Sequence, residues 1–268
     1  MARQALQRAV FEARLRGEDP AATHAWLRAR GGLPSGPLGR RTLETLRAEI
    51  EPYAEAFAAW RGDAVAEAPR VEAELEALTL HGRIADAYPH GIARVRFDPP
   101  NGTSSIRDGL DWLLASAAGL PAPLVQFHAG SGGGMEPHAR PPLDSGLARA
   151  LLERLLALRA TGLRTPLAFA PYSGWELFNA PTLERGLQLA AGRWRGSERG
   201  WGEGQGEALR LTLRGRDPFT DEATTIAFVE QALTVYSAVV NGTLYAGGDR
   251  DALREVAADL DLDLEPAE

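Results

Sequence analysis

Apolar residues recur at helical spacing through the first sixty positions. Residues 2–16 place Leu6, Val10 and Ala13 on one helical face, and Asp19-Pro20 ends that run before a second short helix over Ala21–Arg30. The segment from Gly31 to Gly39 holds glycines and prolines at a density that predicts a loop. Leu43, Leu46, Ile50, Tyr53, Phe57 and Trp60 then alternate steps of three and four, a continuous apolar stripe and a long helix.

The period changes to two after a loop from Arg61 to Pro69. Val71, Ala73, Leu75 and Ala77 oppose Glu72, Glu74 and Glu76, as in a strand with one wet face, and the phase slips at Ala77-Leu78. The next stretch, LTLHGRIADAYPHGIARVRF over 78–97, reads as one β-hairpin. A strand runs through Gly82, Pro89-His90-Gly91 turns, and a second strand begins at Ile92. In it Ala93, Val95 and Phe97 form an apolar face, while Arg94 and Arg96 form a cationic one.

Beyond the hairpin, Ile106, Leu110, Leu113, Leu114 and Ala117 predict a helix closed by Gly119. Leu124–Phe127 predicts a strand, and residues 129–142 a loop. Leu147, Leu151, Leu155 and Leu158 mark a helix, Pro166–Ala170 a strand, and Trp175 to Leu187 helical structure broken at Pro181. Residues 192–206 read as irregular. Leu209, Leu211 and Leu213 fit either a strand or a short helix. Thr220 is the expected cap of a last long helix with the stripe Ile226, Val229, Leu233, Tyr236 and Val240. The order of elements predicts an α/β sandwich around a mixed sheet.

Composition narrows the chemistry. The chain has 268 residues and no cysteine, which excludes disulfides and thiolate metal sites. No run of eighteen uninterrupted apolar residues occurs and charges interrupt the N-terminal apolar runs, so the expectation is a cytoplasmic protein with no membrane partner. All 29 basic residues are arginine. Without lysine, no ammonium is available as a general base or Schiff-base former. The net charge of −7 is uneven: residues 217–268 carry 12 acids against 2 arginines.

Several motifs invite chemistry and fail a requirement of it. GSGGG at 130–134 lacks the lysine of a phosphate loop and is followed by Pro141-Pro142 rather than by a helix, which leaves a hairpin or loop tip. His81 and His90 have no helical ligand partner for zinc, and Ser131 and Ser173 have no nucleophile-elbow context. Asp86, Asp98, Asp108 and Asp111 surround the hairpin, and two-metal nuclease chemistry needs such acids to converge on Mg²⁺. Arg94 and Arg96 stand where carboxylates would be needed; guanidinium groups repel Mg²⁺ and suit phosphate oxygens. Arg193, Trp194, Arg195, Arg199 and Trp201 interleave cations with aromatic rings. Two readings stand open for them: a grip on nucleic acid, or a solvated loop whose tryptophans bury against the body.

The leader GGLPSGPLGRRTLETLRAEIEPYAE, the stretch LHGRIADAYPHGIARVRF with DWLL after it, TPLAFAPYSGWELF and RGWGEGQGEALRLTLRGRDPF together resemble the C-terminal domain of RecC. RecC is the gamma subunit of exodeoxyribonuclease V, the RecBCD helicase-nuclease. The resemblance runs over almost the whole chain, which on this reading is a C-terminal fragment of a larger subunit. It implies a restriction-endonuclease-like, PD-(D/E)xK-type mixed sheet flanked by helices, with the catalytic residues lost. Active relatives carry a G-x-I-D strand and a D-x-K strand. Here the first reads Gly82-Arg83-Ile84-Ala85, and the second Arg94-Val95-Arg96.

The resemblance therefore implies no catalytic residue, no metal and no cofactor, with RecB-like and RecD-like subunits and DNA as partners. Arg94, Arg96, Arg193, Trp194, Arg195, Arg199 and Trp201 are contact candidates chosen by charge. The expected division is an N-terminal helical segment (1–66), a nuclease-like domain (67–248) and an acidic tail (249–268). Two alternatives remain: an active Mg²⁺-dependent nuclease with a migrated site on Asp86, Asp98 and a nearby glutamate, and a purely protein-binding scaffold.

Overall fold

The computed structural model describes residues 3–129, 135–197 and 200–248. They form two compact units interleaved along the chain. The first takes Met1–Arg70, Arg83–Pro100 and Pro121–Pro142; the second takes Val71–Gly82, Asn101–Leu120 and the chain from Leu143 onward. The N-terminal helices thus share a unit with the four-stranded sheet, residues 67–248 contribute to both units, and 249–268 lie outside the described residues.

In the first unit α1 (Arg3–Leu15), α2 (Pro20–Ala29) and α3 (Gly36–Arg61) precede a four-stranded mixed sheet. The helix α3 starts inside the stretch read as loop, because Ser35 is its N-cap and Pro37 sits in its first turn, where a missing N–H costs nothing. The sheet has the order β3 (Ala87–Tyr88), β4 (Gly91–Val95), β5 (Leu124–Ala129), β6 (Met135–Arg140). Strands β3/β4 and β5/β6 are antiparallel, and β4/β5 are parallel with Ala93 beside Val125 and Arg94 beside Gln126. Strand β6 falls in the stretch read as a loop; residues 130–134 between β5 and β6 lie outside the described residues.

The expected single hairpin over 78–97 is instead two ladders. The strand through Gly82, β2 (Thr79–Arg83), pairs with β1 (Arg70–Glu74), and the turn between them is closed by Leu75 N–H donating to the Leu78 carbonyl. Only the short β3 folds back onto β4. The break falls at Ile84–Asp86, where Asp86 adopts φ 53°, a left-handed conformation that stops a strand.

The alternation of β4 did set its faces. Ala93 is buried with Val125 and Phe127 against Leu43, Leu46, Ile50, Tyr53 and Phe57 of α3 and Val10 and Phe11 of α1. Val95 and Phe97 pack on the same cluster. Phe57 is its hub: its ring meets those of Phe11 at 5.7 Å, Phe127 at 5.4 Å and Tyr88 at 5.8 Å. The Tyr88 and Phe127 rings meet it edge-on and that of Phe11 is tilted; an edge-on pair adds about 0.5–1.5 kcal/mol beyond area burial. The stripe keeps α3 helical through Pro52, which removes one helical hydrogen bond.

The second unit is mainly helical: α4 (Gly102–Ala117), α5 (Ser145–Gly162), α6 (Pro171–Asn179), α7 (Leu183–Arg195), α8 (Glu207–Thr212) and α9 (Glu222–Tyr236), the last continued by a π turn at Ser237–Asn241. The β1–β2 ladder from Val71 to Gly82 belongs to this unit. Residues 166–170, expected as a strand, join no ladder among the described residues; Ala168 and Ala170 enter the core just before α6. Leu209–Leu213 resolves to the helix α8. The cap of α9 is Asp221, one residue after Thr220: its carboxylate accepts from Thr224 N–H at 2.9 Å. That contact holds the Asp221 carboxyl below its ordinary range.

The stretch Glu222–Asn241 is long and apolar enough to cross a membrane by composition. Its Phe228, Val229 and Ala232 instead join Leu177, Leu187, Ala190 and Trp194 in the core of the unit. Tyr236 is fully buried, and its hydroxyl donates to the Pro171 carbonyl at 2.5 Å. Burial first, then the Glu203 charge, raises the Tyr236 pKa far above that of a free phenol.

Two outcomes follow. Phe57→Ala should cost about 3–5 kcal/mol in urea denaturation, since the four-ring cluster cannot close over the lost side chain. A phenol whose pKa is raised on folding contributes stability that is complete below pH 10 and declines as pH rises, because the unfolded chain ionises first. Wild-type stability should therefore fall above pH 10 by up to about 1.4 kcal/mol per pH unit through this group, and Tyr236→Phe should remove that part of the slope.

Candidate nucleic-acid interface

The face of the sheet opposite α3 carries Ile92 and Arg94 of β4, Leu124, Gln126 and His128 of β5, and His138 and Arg140 of β6. Ile92 and Leu124 are buried, and polarity begins at the next register step. Arg94 is nearly sheltered, its side chain 12% exposed, and Nη1 donates to the carbonyls of Ala85 at 3.0 Å and Ala93 at 2.8 Å. The same nitrogen stands 3.9 Å from Asp86 Oδ2. The residue at one expected catalytic position is thus tethered to the backbone of the other. Ala85 offers only its carbonyl, and the left-handed turn at Asp86 aims that carbonyl at the guanidinium.

Gln126 lies beside Arg94 and is buried; its Oε1 accepts from Arg140 Nη2 at 3.0 Å. His128 and His138 stack with centroids 4.5 Å apart and planes 15° from parallel. Arg96 follows half-buried, its backbone N–H bonded to Phe127 carbonyl. Gln126, His128, His138 and Arg140 were missed in the sequence. Only the parallel pairing of β4 with β5 brings them beside Arg94, and β6 lies in a stretch whose glycines and prolines predict a loop.

The described side chains of this face include two guanidinium groups and two imidazoles, and by register Glu136 of β6 stands beside His128 on the same face. Guanidinium groups suit phosphate or carboxylate oxygens better than a divalent cation. Asp98, the other acid of the migrated-site reading, accepts from Gln4 Nε2 at 2.6 Å. Among the described residues no group of three histidine or acidic side chains is arranged to hold a metal ion.

The second candidate cluster does not form one patch. Residues 192–195, read as irregular, are the last turn of α7, and helical geometry spreads consecutive side chains around its axis. Trp194 points into the core and packs over Gly204, where any Cβ would strike the indole. Arg195 is held by Asp217 at 2.7 Å. Arg193 lies over the Tyr172 ring at 5.0 Å, and Trp201 is exposed. Arg199 lies outside the described residues. The burying reading therefore holds for Trp194 and not for Trp201.

Close to this cluster is a carboxylate that periodicity did not flag. Glu203 is buried, and its oxygens accept from Tyr172 N–H at 3.0 Å, Ser173 N–H at 2.6 Å and Ser173 Oγ at 2.8 Å. These are unpaired donors of the first turn of α6, so Glu203 acts as a remote cap that also favours the helix dipole.

The sequence matches the family model of the RecC C-terminal domain over residues 1–182. The chain belongs to the RecC C-terminal domain family. No curated protein matches it. Ala85, Arg94 and Arg96 lie inside the segment matched to the RecC C-terminal domain, whereas residues 193–201 and the glycine-rich stretch quoted with them fall beyond it. The family is that of a subunit of the RecBCD complex.

If Arg94 is a structural tether, Arg94→Met should lower stability by about 1–3 kcal/mol, because two sheltered carbonyls lose a charged donor. Thermal melts of both proteins with and without Mg²⁺ check this, and the loss should be the same in each.

Proposed function

We propose that this chain is a non-catalytic domain of a RecC-type subunit, with a restriction-endonuclease-like sheet whose reactive positions are degenerate. One observation carries the reading: Arg94 occupies the expected carboxylate position and donates to the carbonyl of Ala85, which occupies the other. A hydrolytic site of this class needs acids to hold Mg²⁺ and a lysine beside the attacking water. Here the acids are an alanine and an arginine, and the lysine position is Arg96 in a chain without lysine. Guanidinium at that point opposes the metal and cannot act as a proton acceptor at neutral pH.

On this reading the domain serves assembly and DNA handling in a cytoplasmic complex. It helps hold RecB-like and RecD-like subunits and passes a separated strand over its cationic sheet face. Arg96 and Arg140, with His138, supply that face, while Arg94 serves as the tether behind it; guanidinium forks suit backbone phosphates and carry no sequence preference. Of the arginine–tryptophan cluster, Arg193 and Trp201 remain contact candidates, while Trp194 and Arg195 serve the core. A purely protein-binding role is the second reading, favoured by the chain's net charge of −7, which opposes the approach of DNA as a whole.

The purified chain should cleave neither single- nor double-stranded DNA in Mg²⁺ or Mn²⁺. Cleavage that copurifies with the protein and disappears in Asp86→Ala would replace this reading with the migrated-site nuclease. Single-strand affinity should be weak and fall with salt, with a log–log slope reduced by about 0.7 for each phosphate contact removed in Arg96→Ala and Arg140→Ala. A salt-independent, mutation-insensitive signal would favour the protein-binding role.

A further inference from the structure

Helical spacing puts Ala223, Ala227 and Gln231 on one face of α9. With Ala168 from the segment before α6 and Leu213 and Pro218 from the loop after α8, they line a cleft of about 440 Å³ in the second unit. Arg214 and Arg216 stand on its wall. Two further hollows share its arginines: one is lined by Glu207, Arg210, Leu211 and Arg214, and another includes Trp194, Arg210, Arg216 and Asp217. Each of Arg210, Arg214 and Arg216 therefore borders two hollows. The nearby acids are mostly committed elsewhere. Asp217 is held by Arg195 at 2.7 Å and accepts from Phe219 N–H, and Asp221 caps α9. Arg216 adds only a weaker attraction, after the Thr224 hydrogen bonds, to what holds the Asp221 carboxyl low. Among the described residues no hydrogen bond or close ion pair engages these three guanidinium groups.

Two further observations point to an occupant. Gln231, on the cleft wall, has a buried Oε1 that meets no donor among the described residues. A buried acceptor left open is unfavourable unless an occupant supplies an N–H. Arg214 directly follows the C-cap Leu213 of α8 and has φ 52°, the left-handed position where glycine is the usual residue. An arginine kept there at a cost in strain sets a cation between the main cleft and the exposed Leu211.

We infer that this cleft docks an extended acidic segment of a partner protein, with an apolar side chain seated between carboxylates. Each part of the site has its complement in such a segment. The apolar walls take the side chain, the guanidinium groups around them take the carboxylates, and Gln231 takes a backbone N–H. Leu211 offers a second apolar contact beside Arg210 and Arg214. A nucleic-acid strand fits less well. Its phosphates bring no donor to Gln231, and among the described residues the main cleft presents no ring on which a base could stack. Most of the cleft lies beyond residue 182, so the family match does not supply this surface. The inference rests on the assembly role proposed for the chain and gives that role a chemistry: an acidic peptide read by arginines.

The test uses the full chain and the fluorescence anisotropy of a labelled peptide of alternating glutamate and leucine. The peptide should bind, and its counterpart of alternating glutamine and leucine should bind about tenfold more weakly. Arg214→Gly and Arg216→Ala should each weaken binding of the acidic peptide about threefold to fivefold at low salt, the size of one exposed ion pair. Gln231→Met should weaken it by a similar factor through the lost acceptor. In Arg214→Gly and Gln231→Met the melting temperature should stay level or rise, because strain and an open acceptor are removed; that separates lost docking from lost folding. Equal affinity for the two peptides, or affinity unchanged in both arginine variants, overturns the proposal. Binding and melting temperature that fall together in Arg214→Gly and Gln231→Met also overturn it, since both residues would then serve the fold. Oligothymidylate that displaces the peptide with the same dependence on Arg214 and Arg216 assigns the cleft to nucleic acid instead. DNA cleavage by the chain would remove the assembly role and leave these affinities as they are, so the two failures are distinguishable.

Discussion

Strand β4 has two faces, and the first unit depends on keeping them apart. Ala93 points to α3 and meets a cluster of rings centred on Phe57, while Arg94, one residue later, points the other way. A slip of one position would bury two guanidinium groups among phenylalanines and expose Val95 and Phe97. The register is held from both sides, by the parallel bonds to β5 and by the two-residue turnback to β3. The same alternation that secures the core thus delivers Arg94 to the opposite face with little freedom in where it lands.

What Arg94 does there follows from the local backbone. The chain leaves β2 at Arg83, turns through the left-handed Asp86, and exposes the Ala85 carbonyl beside β4. An aspartate at position 94 would find a carbonyl oxygen, another acceptor, and would need a cation between them. An arginine needs nothing between them. Its Nη1 spans the gap to two carbonyls, and the nearby Asp86 carboxylate offsets the charge. Because the guanidinium is sheltered, these charge-assisted bonds are stronger than ordinary amide pairs.

Local periodicity carried far into the fold and stopped where pairing is non-local. The stripe Leu43 to Trp60 predicted most of α3, and the β4 alternation predicted which residues face the core. The stretch 78–97 looked like one hairpin because Pro89-His90-Gly91 is a strong turn and both flanks are apolar. Nothing in its local pattern says that β2 prefers β1, or that Asp86 is left-handed. Gln126 and Arg140 belong to the candidate site only through the neighbours β4 and β6 of β5, a fact of topology. The tryptophan of Arg193-Trp194-Arg195 illustrates the opposite error. Glycines around it suggested a loop, yet α7 continues to Arg195, and the packing of Trp194 on Gly204 uses those glycines as room for the indole.

A metal-dependent hydrolytic centre is a poor stabiliser without its ions, since its carboxylates repel one another and are held in place by the fold around them. With Ala85 and Arg94 at the two positions no such repulsion arises there, and the Arg94 hydrogen bond to the Ala85 carbonyl ties a loop to a strand. That tie is independent of the core, because Phe57, Ala93 and Phe127 lie on the other side of the sheet.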